Sequence, residues 1–297
     1  MKKQLRIAVT GSNGQLGNEF RFLAPRFPEW EFHFFTKTEW DIAIESLNED
    51  RMNTLKPDVV INAAAYTNVE RAEDERENAM LTNGHGPGYL AHACKKHGAL
   101  LIHVSTDYVF DGQKKEAYTE DDDVRPLNVY GESKLAGERT IDSESNRYFI
   151  LRTSWLYGTF GHNFYKTMKR LAIEKGQLTV VLDQVASPTY SRLLAEDILQ
   201  LIRLKLIDHK PIEYGIYHYT QTGEASWFDF AKEIVDVNHL QVPVEAVSSE
   251  RFPTKAKRPM YSKLSTERWV KNTGIQLRTW QEGVQCCAND ERNQGEI

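Results

Sequence analysis

The apolar run "RIAVT" stops at Gly11, and glycines recur at 14 and 17 immediately before a helical stretch, "TGSNGQLGNEF". A strand that ends in glycines of this period turns sharply and hands the chain to a helix that packs closely on it. Further β-rich runs follow: "EFHFFT", "DVVINAAA", "LLIHVSTDYVF" and "YFILRTSWLYG", each separated by an amphipathic segment. Unbroken apolar strands alternating with helices require cover on both faces of a parallel sheet.

The expected fold is therefore α/β, a Rossmann-like doubly wound parallel sheet over residues 1–155, rejoined by elements of about 190–220. Beyond 156 the rhythm loosens through "LTVVLDQVASPTY", "LLAEDILQLIRLKL", "GIYHYT" and "SWFDFAKEIVDV". Residues 156–287 are expected mainly to form a smaller C-terminal α/β substrate-binding lobe, and 288–297 a polar tail that frays. The 297 residues leave ample core for both.

With 37 basic and 42 acidic residues the formal charge is −5, and no basic stripe argues for nucleic acid. The apolar run after Lys2 and Lys3 is too short for a signal peptide or a membrane span, so a cytoplasmic location without a membrane partner is expected. Cys94, Cys286 and Cys287 lack metal-site spacing and read as reduced thiols. His92 and His97 flank Cys94 on one helix and read as solvated, so no metal site is assigned. The sequence leaves open a role for Mg2+ and the oligomeric state, a homodimer included.

Gly11, Gly14 and Gly17 follow GxxGxxG rather than the usual GxGxxG, but their place after the first strand suits a diphosphate at a helix N-terminus. The second strand ends in Thr36 and Lys37, a hydroxyl and an ammonium that suit a 2′-phosphate, which favours NADPH with NADH open as the alternative. Asn62 is followed by Ala63, Ala64 and Ala65, small side chains that leave room for a cofactor across the strand ends.

In "PLNVYGESKLAGERT", Tyr130 and Lys134 lie four residues apart in the first turns of a helix. Their Cβ atoms would be about 5–6 Å apart. An ammonium about 4 Å from a phenol at an effective dielectric near 20 is worth roughly 4 kcal/mol, about three pKa units in favour of phenolate. Tyr165 and Lys169 repeat the spacing. Only Tyr130 follows a strand ending in Ser105, Thr106 and Asp107, where an open sheet presents ligand-binding groups. Tyr165 is expected to pack or face solvent.

With "GSNGQLG", "NAAAYTNVERAE", "STDYVFDG", "YGESKLAGE", "RTSWLYG", "DQVASPT" and "KAKRPMYSKL" in this order, the chain resembles the extended short-chain dehydrogenase/reductase superfamily, and within it the dTDP-4-dehydrorhamnose reductases. The resemblance spans about residues 5–285. It implies NADPH-dependent reduction of the C4 keto group of dTDP-4-dehydro-L-rhamnose. Tyr130 would be the proton donor, Lys134 would bind the nicotinamide ribose and lower the tyrosine pKa, and Thr106 would hold the substrate carbonyl. Asp107 and Trp155 would line the nucleotide-sugar site. Gly14, Gln15 and Leu16 would lie at the diphosphate, with Asn13 also binding the cofactor, Asp41 and Ile42 at the adenine, and Ala63–Ala65 with Val104 at the middle of the cofactor. Tyr108 stands where related dehydratases carry an acid, which favours simple reduction. Val185 and Ala186 depart from the aromatic and glycine common in the substrate-side loop. Two alternatives stay open: a non-catalytic NADP-binding subunit similar to the regulatory subunit of methionine adenosyltransferase, and a reductase of another nucleotide sugar.

Overall fold

The computed structural model describes residues 4–295. The first unit runs β1 (Leu5–Thr10), α1 (Gln15–Leu23), β2 (Trp30–Phe35), α2 (Glu45–Leu55), β3 (Val59–Asn62), α3 (Val69–Ala72), α4 (Arg76–Ala79), α5 (Gly86–His97), β4 (Leu100–Thr106), α6 (Val129–Glu144) and β5 (Tyr148–Thr153). The remainder contains β6 (Leu156–Tyr157), α7 (Phe164–Lys175), β7 (Leu178–Val181), β8 (Val185–Ala186), β9 (Thr189–Tyr190), α8 (Ser191–Ile202), β10 (Gly215–His218), β11 (Ala225–Ser226), α9 (Trp227–Val237), β12 (Val244–Val247), α10 (Glu267–Thr273) and α11 (Trp280–Gly295).

The central sheet is wholly parallel, in the order β2-β1-β3-β4-β5-β10. Its strand side chains alternate between two apolar layers. Ile7, Val9, Val59, Ile61, Ile102 and Leu151 meet α1 and α8 on one face. Ala8, Val60, Leu101 and Ile150 meet Met52 of α2 and Leu90, Ala91 and Cys94 of α5 on the other. Burying both faces is why the strands read as continuous apolar runs, each large side chain contributing roughly 1.5–3 kcal/mol. The direction of winding reverses between β1 and β3, and an open α/β sheet presents its ligand crevice outside the C-terminal ends of the strands at that point.

Helix α8 and strand β10 pack with the first unit. A second core forms around Tyr157, Tyr165, Tyr190, Phe230, Ile234, Trp280 and Val284. Residues 288–295, expected to fray, instead continue α11. Val284, Cys287 and Ala288 fall on one buried face of it. Asp290 pairs with Arg192 at 3.0 Å and accepts from the Tyr190 hydroxyl at 2.7 Å. Residues 296–297 of the expected tail lie outside the described residues. His97 is also less solvated than expected, its side chain 18% exposed and 3.9 Å from Glu49.

Candidate active site

A cleft of about 780 Å³ opens at the C-terminal ends of β1, β3 and β4, against the smaller unit. It brings together Gly11, Asn13, Gly14, Gln15, Leu16, Lys37, Asp41, Ile42, Ala63, Ala64, Ala65, Val104, Thr106, Asp107, Tyr130, Lys134 and Trp155. A groove of similar size beside β10 is lined by Glu120, Glu213, Arg268 and Lys271 and includes none of these residues.

The glycine turn is built by close approach. Gly11 has φ +66°, and a Cβ there would lie 2.6 Å from the Ala64 nitrogen. The crowding atoms are backbone on both sides, so nothing can yield. Gly11→Ala should lower NADPH affinity at least about tenfold, through left-handed strain and displacement of the 63–64 segment; calorimetric titration would measure it. The N-terminus of α1, at Gly14, has no side-chain cap, and Gly14, Gln15 and Leu16 border the cleft there. Gly17 does not line the cleft, because it packs α1 onto the backbone of Gly11 and Ser12.

Thr36 is likewise absent from the lining. Its hydroxyl donates to Glu39 Oε2 at 2.8 Å, and its backbone N–H donates to the same oxygen at 2.8 Å. Those hydrogen bonds hold the Glu39 carboxyl below the usual range. Lys37 does border the cleft, 72% exposed and 3.8 Å from Asp41 Oδ2.

Asn128 caps α6 by accepting from Gly131 N at 2.8 Å, while its Nδ2 donates to the Lys257 carbonyl at 2.7 Å. This fixes where the helix starts and thus where Tyr130 stands. Lys134, only 2% exposed, donates from Nζ to the Val104 carbonyl at 2.7 Å and lies 3.2 Å from His103 Nε2. The spacing argument placed this ammonium against the Tyr130 phenol; the structure gives it to β4. Burial pushes the Lys134 amine down to about 8, with Glu138 pulling it back. Burial also drives the Tyr130 phenol up to about 12 rather than down, opposed only by a hydrogen bond with Thr106. Desolvation therefore outweighs any helix-face attraction, and the phenol is fully protonated at neutral pH. Tyr108 packs edge-on against it, ring centroids 5.7 Å apart at 79°.

Thr106 donates from Oγ1 to Asp107 Oδ1 at 3.1 Å, and Ser262 Oγ donates to Asp107 Oδ2 at 2.5 Å. Burial raises the Asp107 carboxyl from 3.8 to about 7. The folded state thus holds this proton more tightly than the unfolded chain. The resulting stability is fully present below about pH 4 and is withdrawn as pH rises to about 7, by up to about 4 kcal/mol. Asp107→Asn should flatten that part of the stability–pH curve, which melting temperatures taken across the window would show.

Trp155 was expected to line the substrate site. It lies on the cleft in a left-handed conformation, φ +46°, stacked on Trp227 with centroids 3.5 Å apart and rings 10° from parallel. Such strain in a bulky residue persists only where its surroundings impose it. Val185 and Ala186 form β8 against β11, and Val185 exchanges backbone hydrogen bonds with the 260–262 segment. Several lining residues were not singled out from sequence, Trp227 and Arg258 among them. Arg258 Nη2 reaches Glu70 at 3.2 Å, while its buried Nε has no partner among the described residues. Tyr165 is fully buried in the second core, its hydroxyl hydrogen-bonded with Asn238 and Glu291, and does not border the cleft.

A family model described as the RmlD substrate binding domain matches residues 5–293. The dTDP-4-dehydrorhamnose reductase of Aggregatibacter actinomycetemcomitans is 42% identical over 94% of this chain and 97% of its own length. The chain belongs to the dTDP-4-dehydrorhamnose reductase (RmlD) family. Another similar protein is the spore coat polysaccharide biosynthesis protein SpsK of Bacillus subtilis (strain 168), 39% identical over 94% of this chain and 95% of the relative. The dTDP-4-dehydrorhamnose reductase of Bacillus anthracis, solved in complex with NADP, superposes with TM-score 0.91 at 40% identity, covering 97% of this chain and all of that one. The RmlD match thus spans both units. The UDP-glucose 4-epimerase of Thermus thermophilus, at 18% identity and TM-score 0.76, shares the fold alone.

Proposed function

We propose that this protein reduces the C4 ketone of dTDP-4-dehydro-L-rhamnose with NADPH, forming dTDP-L-rhamnose. One observation carries the reading: a single cleft holds the glycine turn, Thr106, Tyr130 and Lys134. Its residues suit the dinucleotide. The cradle at Gly11 admits no Cβ, the N-terminus of α1 is uncapped by a side chain, and Lys37 offers an exposed cation for a 2′-phosphate. When bound, NADPH supplies the hydride.

The protein's part is proton transfer and charge placement. Thr106 Oγ1 hydrogen-bonds the carbonyl oxygen. The Tyr130 phenol, protonated at neutral pH, donates its proton to that oxygen as negative charge gathers there. Lys134 then stabilises the tyrosinate left behind. The Trp155–Trp227 stack supplies an apolar wall for the nucleotide sugar, and the free Arg258 Nε suits its diphosphate. A cytoplasmic location agrees with this chemistry; among the described residues, no helix is long and apolar enough to cross a membrane. No cluster of three or more His, Cys, Asp or Glu suited to a metal is found among them either.

The test mixes purified protein, NADPH and the keto sugar and follows nicotinamide absorbance. Loss of absorbance with dTDP-L-rhamnose as product is expected. NADP binding without turnover, together with co-purification of a larger catalytic subunit, would favour a non-catalytic role. Turnover only with another nucleotide sugar would reassign the substrate.

A further inference from the structure

We propose that Asn62 and His103 are positioning residues for Lys134: together they direct the His103 Nε2–H at the Lys134 amine and favour its neutral form in the ligand-free protein. The inference rests on the reading of Lys134 as the partner of Tyr130. It begins at β1, where Thr10 Oγ1 donates to Asn62 Oδ1 at 2.8 Å. The Ala64 N–H donates to the same oxygen at 3.2 Å. Two donors on that oxygen orient the carboxamide, so Asn62 Nδ2 faces His103 Nδ1, 2.9 Å away. A ring nitrogen that meets an N–H must accept from it, and a neutral imidazole then carries its hydrogen on the other nitrogen. The ring is neutral because it is fully buried, which disfavours the imidazolium.

Nε2–H therefore points at Lys134 Nζ, 3.2 Å away. An ammonium has no lone pair to receive that hydrogen, whereas a neutral amine accepts it and still donates to the Val104 carbonyl at 2.7 Å. The other groups around the amine do not reverse this balance. Glu138, one turn further along α6, favours the charged form. Its oxygens, however, are already engaged by Arg152 at 2.7 Å and by Ser105 at 2.5 Å. Tyr130, one turn earlier, is a neutral phenol, and Asp107 at the end of β4 lies on the Tyr130 side.

Turning the Asn62 carboxamide over would reverse the ring's tautomer and let Nε2 accept from an ammonium. It would also take the acceptor from the Ala64 N–H, and Ala64 borders the cleft. A ligand that offers an acceptor at Ala64 therefore favours the charged lysine that a tyrosinate requires.

The experiment titrates the carbon-13 ε shift of Lys134 in ligand-free, lysine-labelled protein, the resonance being assigned with Lys134→Arg. His103→Gln can present an oxygen acceptor to Nζ, and Asn62→Asp accepts from Nδ1–H and so turns the Nε2 lone pair toward it. Both should raise the Lys134 pKa by about one unit or more. The basic limb of the kcat/KM profile should rise with it. A Lys134 titration matching wild type in either folded variant overturns the proposal. Absence of turnover by the wild-type protein would sink the reductase reading while leaving the titration to judge this one.

Discussion

Tyr130→Phe should lower NADPH-supported reduction of the keto sugar by about 10³-fold or more while NADPH binding persists, the upper range for removal of a general acid. The phenol is the proton source at the cleft, held protonated by burial and in hydrogen-bond contact with Thr106. Phenylalanine keeps the ring, its edge contact with Tyr108 and the start of α6. The loss should therefore appear in kcat with little change in melting temperature. A variant with full kcat would remove Tyr130 from the mechanism and leave Thr106 or Asp107 as the proton source.

The largest effect on stability is expected at Arg152. Its Nε and Nη2 grip both oxygens of Glu138 at 2.7–3.1 Å, and the two side chains are 3% and 2% exposed. Removing one partner strands a buried charge, which typically costs about 3–5 kcal/mol, whereas replacing both with apolar groups is often neutral. Arg152→Leu should lower the melting temperature by roughly 5–15 °C. Adding Glu138→Leu should recover much of that. If the double variant is no more stable than the single one, loss of packing rather than the unpaired charge is responsible.

The parallel sheet was legible because strands buried on both faces need unbroken apolar runs, and Gly11 because its left-handed turn admits almost nothing else. What escaped depended on contacts distant in sequence. The Tyr130–Lys134 spacing describes one helix face and says nothing of Val104 and His103, which come from β4 and take the amine instead. Thr36 looked like a phosphate ligand until Glu39, three residues on, claimed its hydroxyl. Trp227 and Arg258 reach the cleft from the far half of the chain, with no local spacing to mark them. The end of α11 could have been read: Val284, Cys287 and Ala288 recur at helical period, and the polar residues after them pair with Arg192, Tyr165 and Lys169.

The most direct measurement uses NADPH carrying deuterium at the transferable position of its nicotinamide, with the keto sugar and the wild-type protein. One deuterium at C4 of the recovered dTDP-L-rhamnose is the expected result. A nucleotide sugar recovered unreduced, or reduced without deuterium at C4, would contradict direct hydride transfer in this cleft.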